Sequence, residues 1–351
     1  MQRNGCALCV TLLILATIPG CVGRNNNQGF KFHASTRSQL RSLSLKGRDS
    51  ASIVVEKTPG VRELLITHDN GQNWKTIPTP IDNMLECATM LDDKTGWVVD
   101  HSGQVLSTST GGAAWTKTFQ LDDFTGAENI EFLNENEGWI KEFLSIWRTV
   151  DGGLTWHKTF GPLTAGIGEK SYGMFPISGD RAVSLGAQGR VYFTESGGRS
   201  WKLESPFQES AFFTDVWFDS PSHGWITGTA NSNALLLETK NFGDSWTQIS
   251  LPYDIGIFPS SVCALGQRAW IAGDIRVGPE ESVVLEGVLL HSDDGGKQWQ
   301  RIPFSKGEPF FTTIRFSDEM SGWLVGRDSL YRSDDGGKNW KKVITLTPPK
   351  A

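Results

Sequence analysis

The chain has 351 residues, a formal net charge of −6 and 21% charged residues, which suits a soluble globular protein of one or two domains. This mildly acidic composition contains no basic patch that could neutralise phosphates, so it argues against nucleic acid as a partner. The six histidines show no metal-ligand spacing, and the sequence has neither a nucleophile elbow nor a phosphate-binding loop. We therefore predict no metal site and no cofactor.

The first residues have the pattern of an export signal. Arg3 precedes an apolar run, Cys6–Ile18, that is too short to span a bilayer as a stable helix. The run leads into Ile18-Pro19-Gly20-Cys21, which resembles a bacterial lipobox. We predict a lipoprotein-type signal peptide over residues 1–20, lipidation of Cys21 and a polar tether over residues 21–33, with an ordinary signal peptide as the alternative. The expected location is extracytoplasmic (periplasm, lumen or cell surface), with a lipid anchor in a membrane.

Residues 34–351 contain seven copies of one short unit, which we call the Asp-box. Its pattern is Ser or Thr, any residue, Asp, any residue, Gly, any residue, a small or polar residue and Trp, as in Thr149–Trp156. Four copies keep the acidic residue, as Asp69, Asp151, Asp294 and Asp335. The closing tryptophans are Trp74, Trp115, Trp156, Trp201, Trp246, Trp299 and Trp340. Because these tryptophans recur every 41 to 53 residues, they predict propeller blades or a helical array.

Composition favours the propeller, since each unit holds short alternating apolar runs separated by Gly, Asp and Asn, and none has a long helical stripe. We predict an all-β, seven-bladed propeller with four antiparallel strands, A to D, in each blade and the Asp-box turn between C and D. The last blade is predicted at Thr312–Phe316, Gly322–Val325, Ser329–Arg332 and Trp340–Ile344. In the first blade, strand A is predicted at Gln39–Leu45 and strand B at Ile53–Glu56. Whole first and last blades would then meet at closure.

The Asp-box residues suit a structural role. An Asp at the third position can accept backbone N–H bonds, Gly permits a left-handed backbone, and Trp can cover the turn. Three copies carry Thr110, Ser196 and Asn241 instead of Asp. Thr110 and Ser196 would be poor ligands for a metal or sugar, which favours the structural interpretation. The two cysteines of the predicted domain, Cys87 and Cys263, fall in apolar stretches several blades apart and are predicted to be buried free thiols.

The repeats also resemble a known family. Ser321–Gly326 and Arg332–Trp340 carry a likeness to photosystem II stability/assembly factor-like propellers within the Asp-box (BNR repeat) superfamily. This resemblance implies a protein that binds other proteins during assembly of photosystem II, at the lumenal side of a membrane and in some members with a lipid anchor. It implies a non-catalytic scaffold whose partner is a membrane-associated protein.

A carbohydrate-binding or glycan-hydrolysing propeller, similar to sialidases, is the alternative. Sialidases need three convergent arginines and a tyrosine nucleophile, and an Arg-Ile-Pro tripeptide supplies one arginine. Here Arg301-Ile302-Pro303 follows the sixth Asp-box, on a predicted strand D, and Tyr192 and Tyr331 fall on predicted C strands away from the central channel. The sequence therefore predicts no catalytic residues, with a glycan as a further partner to be tested.

Two long loops of the sixth blade are the best candidates for a binding surface. They are the connection into its strand A, Pro252–Phe258, and its B–C loop, Arg276–Ser282, and both would project from the same face. A tolerated insertion explains the loop lengths equally well. The candidate partner-binding residues are Tyr253, Phe258, Arg276, Glu280 and Glu281.

Overall fold

The computed structural model describes residues 40–58, 60–81, 84–160, 173–205, 207, 211–231, 233–251, 257–277, 284–304 and 307–346. Within these ranges the chain forms seven four-stranded antiparallel sheets. Blade 1 contains β1 (Leu40–Lys46), β2 (Ser50–Thr58), β3 (Val61–Thr67) and β4 (Lys75–Ile77). Blade 2 contains β5 (Leu85–Met90), β6 (Gly96–Asp100), β7 (Gln104–Thr108) and β8 (Thr116–Gln120). Blade 3 contains β9 (Ala127–Phe132), β10 (Gly138–Glu142), β11 (Ile146–Thr149) and β12 (His157–Phe160).

The remaining four blades follow the same plan. Blade 4 contains β13 (Gly173–Pro176), β14 (Ala182–Leu185), β15 (Val191–Thr194) and β16 (Lys202–Glu204), with a 3₁₀ turn at Ala187–Gly189. Blade 5 contains β17 (Ala211–Phe218), β18 (Gly224–Ala230), β19 (Asn233–Thr239) and β20 (Thr247–Gln248). Blade 6 contains β21 (Ile257–Leu265), β22 (Arg268–Val277), β23 (Val284–Ser292) and β24 (Gln300–Arg301). Blade 7 contains β25 (Phe311–Phe316), β26 (Gly322–Gly326), β27 (Ser329–Ser333) and β28 (Lys341–Thr345).

The first strand of each blade, strand A, lies innermost. The A strands of blades 1 and 2, 2 and 3, 4 and 5, 5 and 6, and 6 and 7 pack against one another. Every residue of β6, β10 and β26 is buried, because neighbouring blades cover both faces of these B strands. The A–B turns and the Asp-box turns share one end of the sheets, which we call the Asp-box face. The B–C loops and the connections between blades share the other end, which we call the loop face.

Closure joins blade 7 to blade 1 through side chains. Leu43 and Leu45 pack in one apolar cluster with Trp323 and Val325. Arg332 of blade 7 donates a hydrogen bond of 2.8 Å to the Asn70 side chain of blade 1. Each of the two blades is built from four consecutive strands, so whole first and last blades meet.

The seven-bladed fold and the position of the Asp-box turns are confirmed. Cys87 and Cys263 are buried free thiols in blades 2 and 6, as predicted. The predicted start of strand B in blade 1 was wrong, since β2 begins at Ser50 rather than Ile53. Pairing with β1 extends across Ser50–Ser52, a Ser-Ala-Ser segment whose small side chains give no apolar signal of a strand.

Candidate functional site: the Asp-box turns and the central cavity

The first residue of every Asp-box closes its turn with a hydroxyl group. In each of the seven boxes this hydroxyl oxygen accepts a hydrogen bond from the backbone N–H of the glycine four residues later, over 2.8 to 3.1 Å. The glycine has a positive φ, as at Gly153 (86°), a conformation that a residue with a Cβ adopts only with strain. The Ser/Thr and the Gly of the repeat are therefore needed for the turn itself.

The third residue of the box makes a second closing bond, and it need not be an aspartate. Asp151 accepts the backbone N–H of Thr155 at 2.9 Å. In the boxes without Asp, Thr110 and Ser196 accept the equivalent N–H at 2.8 and 3.0 Å, and the Asn241 side chain does so at 2.9 Å. Because Asp, Thr, Ser and Asn oxygens all make this bond, the Asp-box carboxylates have a structural role in the turn.

The box tryptophans cover these turns to different extents. Two of the seven, Trp156 and Trp299, are buried, whereas the other five are half-buried. A glycine of the box also contacts the strand-B tryptophan of the preceding blade: Trp97 of blade 2 donates its indole N–H to the carbonyl oxygen of Gly152 in blade 3 at 2.8 Å. The Asp-box turns thus contribute to the packing between neighbouring blades.

The structure describes only part of the predicted partner-binding set. Phe258 is half-buried within β21 and pairs with Asp274, and Arg276 lies within β22 and pairs with Leu285. Their assignment to loops was wrong, because the antiparallel pairing of blade 6 continues further toward the loop face than in blades 2, 3, 4 and 7. Tyr253, Glu280, Glu281 and the proposed lipidation site Cys21 lie outside the described residues.

Phe258 has a counterpart in the neighbouring blade. Phe212 precedes the bulge of β17 as Phe258 precedes the bulge of β21, so both lie where an innermost strand begins at the loop face. The Phe212 side chain is 46% exposed, one of the few large apolar side chains on the described surface. The loop face of blades 5 and 6 therefore presents aromatic surface to solvent.

The innermost strands also enclose a central cavity of about 460 Å³. Lys46 of blade 1, Glu131 of blade 3 and Arg315 of blade 7 line it, together with the rings of Phe175 and Trp217. The Arg315 guanidinium lies 5.2 Å from the centre of the Trp217 ring. The cavity thus combines charges of both signs with aromatic walls.

Fixed hydrogen bonds hold Arg315 in place. Its guanidinium contacts both carboxylate oxygens of Asp215, at 3.0 and 3.3 Å, and donates to Ser261 Oγ at 2.8 Å. Asp215 also accepts from Ser261 Oγ and from the backbone N–H of Val262. Arg315 thereby links the innermost strands of blades 5, 6 and 7.

Burial perturbs the other two charges. Desolvation raises the pKa of Glu131, although Lys46 and Arg315 oppose the rise. Desolvation lowers the pKa of Lys46, and the negative charge of Glu131 opposes that change. Both groups are therefore less well solvated than free side chains, and a charged or strongly polar ligand group in the cavity would interact with them directly.

The geometry does not favour the sialidase alternative. Arg315 is the one arginine among the described residues that line the cavity. Tyr331 does pair with a carboxylate, donating a hydrogen bond of 2.5 Å to Glu308, but burial and this carboxylate raise the pKa of the phenol. A raised pKa opposes the ionisation that a tyrosine nucleophile needs. Arg301 lies on β24 of blade 6, in a 2.7 Å ion pair with Glu286.

No group of three or more His, Cys, Asp or Glu side chains among the described residues is arranged to hold a metal ion. No helix in the described part of the chain is long and apolar enough to cross a membrane.

Sequence reasoning missed the cavity residues because no local motif connects them. Asp215 and Arg315 are 100 positions apart and meet only when three blades come together. Glu131 and Arg315 do share one repeat position, since each pairs with the strand-B tryptophan of its blade, so an alignment of the A strands would have marked these two residues.

Comparison with known families and proteins gives a consistent result. The sequence profile described as "Photosynthesis system II assembly factor YCF48" matches residues 66–211 and 203–310, and a BNR/Asp-box repeat matches residues 331–342. The chain is 34% identical over 110 residues to the photosystem II stability/assembly factor HCF136 of Oryza sativa subsp. japonica, over 30% of this chain and 23% of that protein. It is 35% identical over 104 residues to the photosystem II assembly lipoprotein Ycf48 of Synechococcus sp. (strain CC9902), over 28% of this chain and 27% of that protein. The matched segment thus spans about a quarter of the length of these curated relatives.

Solved structures share the fold. The structure described as "YCF48 bound to D1 peptide" aligns with a TM-score of 0.67 and 19% identity over 85% of this chain and 92% of that one. YCF48 from Cyanidioschyzon merolae aligns with the same TM-score and 18% identity over 85% of this chain and 96% of that one. An ancestral GH74 enzyme aligns with a TM-score of 0.56 and 14% identity over 74% of this chain but only 38% of its own. Since the YCF48 profile covers more than half of its residues, the chain belongs to the YCF48 family of photosystem II assembly factors.

Proposed function

We propose that this protein is a non-catalytic assembly factor that binds a membrane protein partner, and that the partner is the D1 polypeptide. The observation that carries the proposal is the family match across residues 66–310. The structural alignment with a YCF48 bound to a D1 peptide, which covers most of both chains, supports the choice of partner. The structural roles of the Asp-boxes and the raised pKa of Tyr331 agree with a binding role rather than a catalytic one.

Affinity capture tests this function directly. The tagged mature chain is incubated with detergent-solubilised membranes of the source organism, and bound proteins are identified by mass spectrometry. Reproducible enrichment of D1, relative to an untagged control, supports the proposal. Capture that lacks D1 and any other photosystem polypeptide contradicts it. A glycan array run on the same preparation examines the carbohydrate alternative.

The proposed docking surface is the loop face of blades 5 and 6. The exposed ring of Phe212 and the half-buried ring of Phe258 support this placement, because aromatic side chains are common anchors in protein interfaces. We propose that Tyr253, Arg276, Glu280 and Glu281 complete the contact.

A pair of variants on opposite faces tests the surface. The fivefold alanine variant of Tyr253, Phe258, Arg276, Glu280 and Glu281 is expected to lose most D1 capture. The control is Leu154→Ala, which removes an exposed apolar side chain (63% exposed) from the Asp-box of blade 3, on the other face. Undiminished capture by the fivefold variant, or equal loss in both variants, overturns this placement.

The proposed location is extracytoplasmic, with a lipid on Cys21. The lipobox-like sequence Ile18–Cys21 supports it, as does the name of the Synechococcus relative, an assembly lipoprotein. Mass spectrometry of the mature N-terminus is expected to show a diacylglyceryl group on Cys21. The Cys21→Ser variant should move from the membrane to the soluble fraction, and an unmodified wild-type N-terminus would refute the anchor.

A further inference from the structure

One position recurs in five of the seven blades as a buried tryptophan. The second residue of the strand-B motif pairs with the residue just before the Asp-box, as Trp97 pairs with Ser107 and Trp323 with Arg332. The five tryptophans are at most 2% exposed and are Trp97, Trp139, Trp225, Trp270 and Trp323.

The clearest examples show what this ring does. Trp97 stacks on Phe132, the last residue of strand A in the next blade, with 3.4 Å between ring centres. Trp270 stacks on Phe316 in the same way at 3.7 Å, and its indole N–H donates to the carbonyl oxygen of Gly336 at 2.9 Å. The gap between two blades at the Asp-box face is therefore a site shaped for an indole.

Blade 1 has this site without the tryptophan. Ser52 pairs with Ile66, the residue before the Asp-box, and so occupies the tryptophan position. A cavity of about 310 Å³ lies beside it, between blades 1 and 2. We call this cavity the blade 1 slot. It is walled by Ile66, Met90 and Leu91.

Blade 4 also lacks the tryptophan, but phenylalanines occupy the space. Val183 packs in one cluster with Phe193, Phe218 and Phe242, whose rings lie within 6 Å of one another in successive pairs. Within the described part of the chain, blade 1 is thus the blade in which no aromatic side chain of the protein fills this position.

The slot carries an unused polar group. Ser52 is 2% exposed, and its hydroxyl oxygen makes no hydrogen bond to any described residue. A buried hydroxyl without a partner costs free energy, which a bound donor or acceptor would recover. The side chains of His68 and Asp93, 46% and 79% exposed, stand at the mouth, so the slot can be reached from solvent.

We propose that the blade 1 slot binds an aromatic side chain, best an indole, supplied by a partner polypeptide. The ring would lie against the Met90 thioether where Trp97 lies against Phe132, and sulfur–aromatic contacts are favourable. The Ser52 hydroxyl would accept the indole N–H. The slot lies at the Asp-box face, so a partner polypeptide docked at the loop face would reach it through the central cavity, which Lys46 lines together with the slot.

The proposal that the slot binds an aromatic side chain does not depend on the proposed function. Only the assignment of that side chain to the D1 partner rests on the proposed function. A volume of about 310 Å³ lies at the lower end of the range of ligand pockets, which suits one aromatic side chain rather than a whole small molecule.

The test of the slot uses 5-fluoroindole as the probe and ¹⁹F NMR of its signal with the full mature chain. Wild type is expected to broaden and shift the signal in a saturable way. Ser52→Trp supplies the missing ring from within, so it should abolish binding and leave the melting temperature equal or higher. Ser52→Ala removes only the unpartnered hydroxyl and is expected to weaken binding about five-fold. Absence of binding by wild type, or unchanged binding by folded Ser52→Trp, would show that the slot is not the binding site. Unchanged binding by Ser52→Ala would refute the role of the hydroxyl group.

The partner assignment is tested separately. Capture of D1 by Ser52→Trp is compared with capture by wild type and by Leu154→Ala, the surface control. At least a five-fold loss with Ser52→Trp alone supports an aromatic anchor from the partner. Equal capture by all three chains overturns the partner assignment while leaving the proposed function intact, since D1 would still be bound.

Discussion

Arg332 is predicted to hold the ring of blades closed. Its side chain is 2% exposed and lies between blade 7 and blade 1, the first and last blades of the ring. It donates to the Asn70 side chain of blade 1 at 2.8 Å; within blade 7 it donates to the Gly322 carbonyl oxygen at 3.1 Å and lies 5.1 Å from the centre of the Trp323 ring, which packs against Leu43 and Leu45 of blade 1. Replacing Arg332 by Ala removes all of these contacts at once.

The expected loss of stability follows from these contacts. Two hydrogen bonds from a charged donor contribute about 1.5 kcal/mol each, the lower end for charged groups, and the cation–π contact contributes about 1 kcal/mol. The ion pair with Asp334 adds little, because that carboxylate is 64% exposed and is screened by water. Burial, which lowers the pKa of Arg332, offsets part of the gain. The net loss is about 3 kcal/mol, or about 4–5 °C in melting temperature at about 2.1 cal/mol/K of unfolding entropy per residue.

Calorimetry combined with native-state hydrogen exchange checks this prediction. The matched control is Arg148→Ala, since Arg148 also precedes an Asp-box and stacks on a strand-B tryptophan, Trp139 at 5.5 Å, but between the connected blades 3 and 4. Arg332→Ala should accelerate exchange in blades 1 and 7 specifically. A melting shift below about 1 °C, or equal acceleration in all blades, would refute the role of Arg332 in closure.

Three further predictions concern single side chains. Asp151→Ala should lower the melting temperature by only about 1–2 °C, because one box turn loses about 1 kcal/mol of hydrogen bonding; a calorimetric loss above about 5 °C would contradict the local role. His223 lies between the carboxylates of Asp219 (2.7 Å) and Glu238 (2.9 Å), and its pKa is raised, mainly by the bond to Asp219. Since the folded pKa exceeds the unfolded one, this stabilisation is complete below the ordinary pKa of about 6.5 and is lost as pH rises through the folded value. Wild type should therefore be more stable at pH 5.5 than at pH 8.5, and the His223→Gln variant should lack this difference. An equal pH dependence of stability in both proteins would refute the assignment. The Cys263 thiol, whose pKa burial raises to about 12, should resist iodoacetamide in the native state and react only after unfolding, as mass spectrometry would show.

The fold was predictable because its signal repeats. Each Asp-box needs a hydroxyl residue, a glycine and a tryptophan for the turn, so seven copies at a regular spacing fix seven C–D turns and hence seven sheets. The three boxes without Asp did not disturb the prediction, because Thr, Ser and Asn oxygens make the same bond.

The candidate sites were less predictable, for two physical reasons. The contacts of the central cavity connect residues on different blades, such as Asp215 and Arg315, and no local pattern marks them. The blade 1 slot is marked by a missing residue, and Ser52 in the tryptophan position is visible only once strand register is known. Phe258 and Arg276 were assigned to loops because the strands of blade 6 continue beyond the length typical of the other repeats.

The central claim, that the chain binds D1, is tested most directly by titrating overlapping peptides of the source organism's D1 into the purified mature chain in a calorimeter. We predict saturable one-to-one binding of at least one peptide, weakened at least ten-fold by the fivefold alanine variant of the loop face and unchanged by Leu154→Ala. Absence of heat for every peptide, together with failure to capture full-length D1 from membranes, would contradict it.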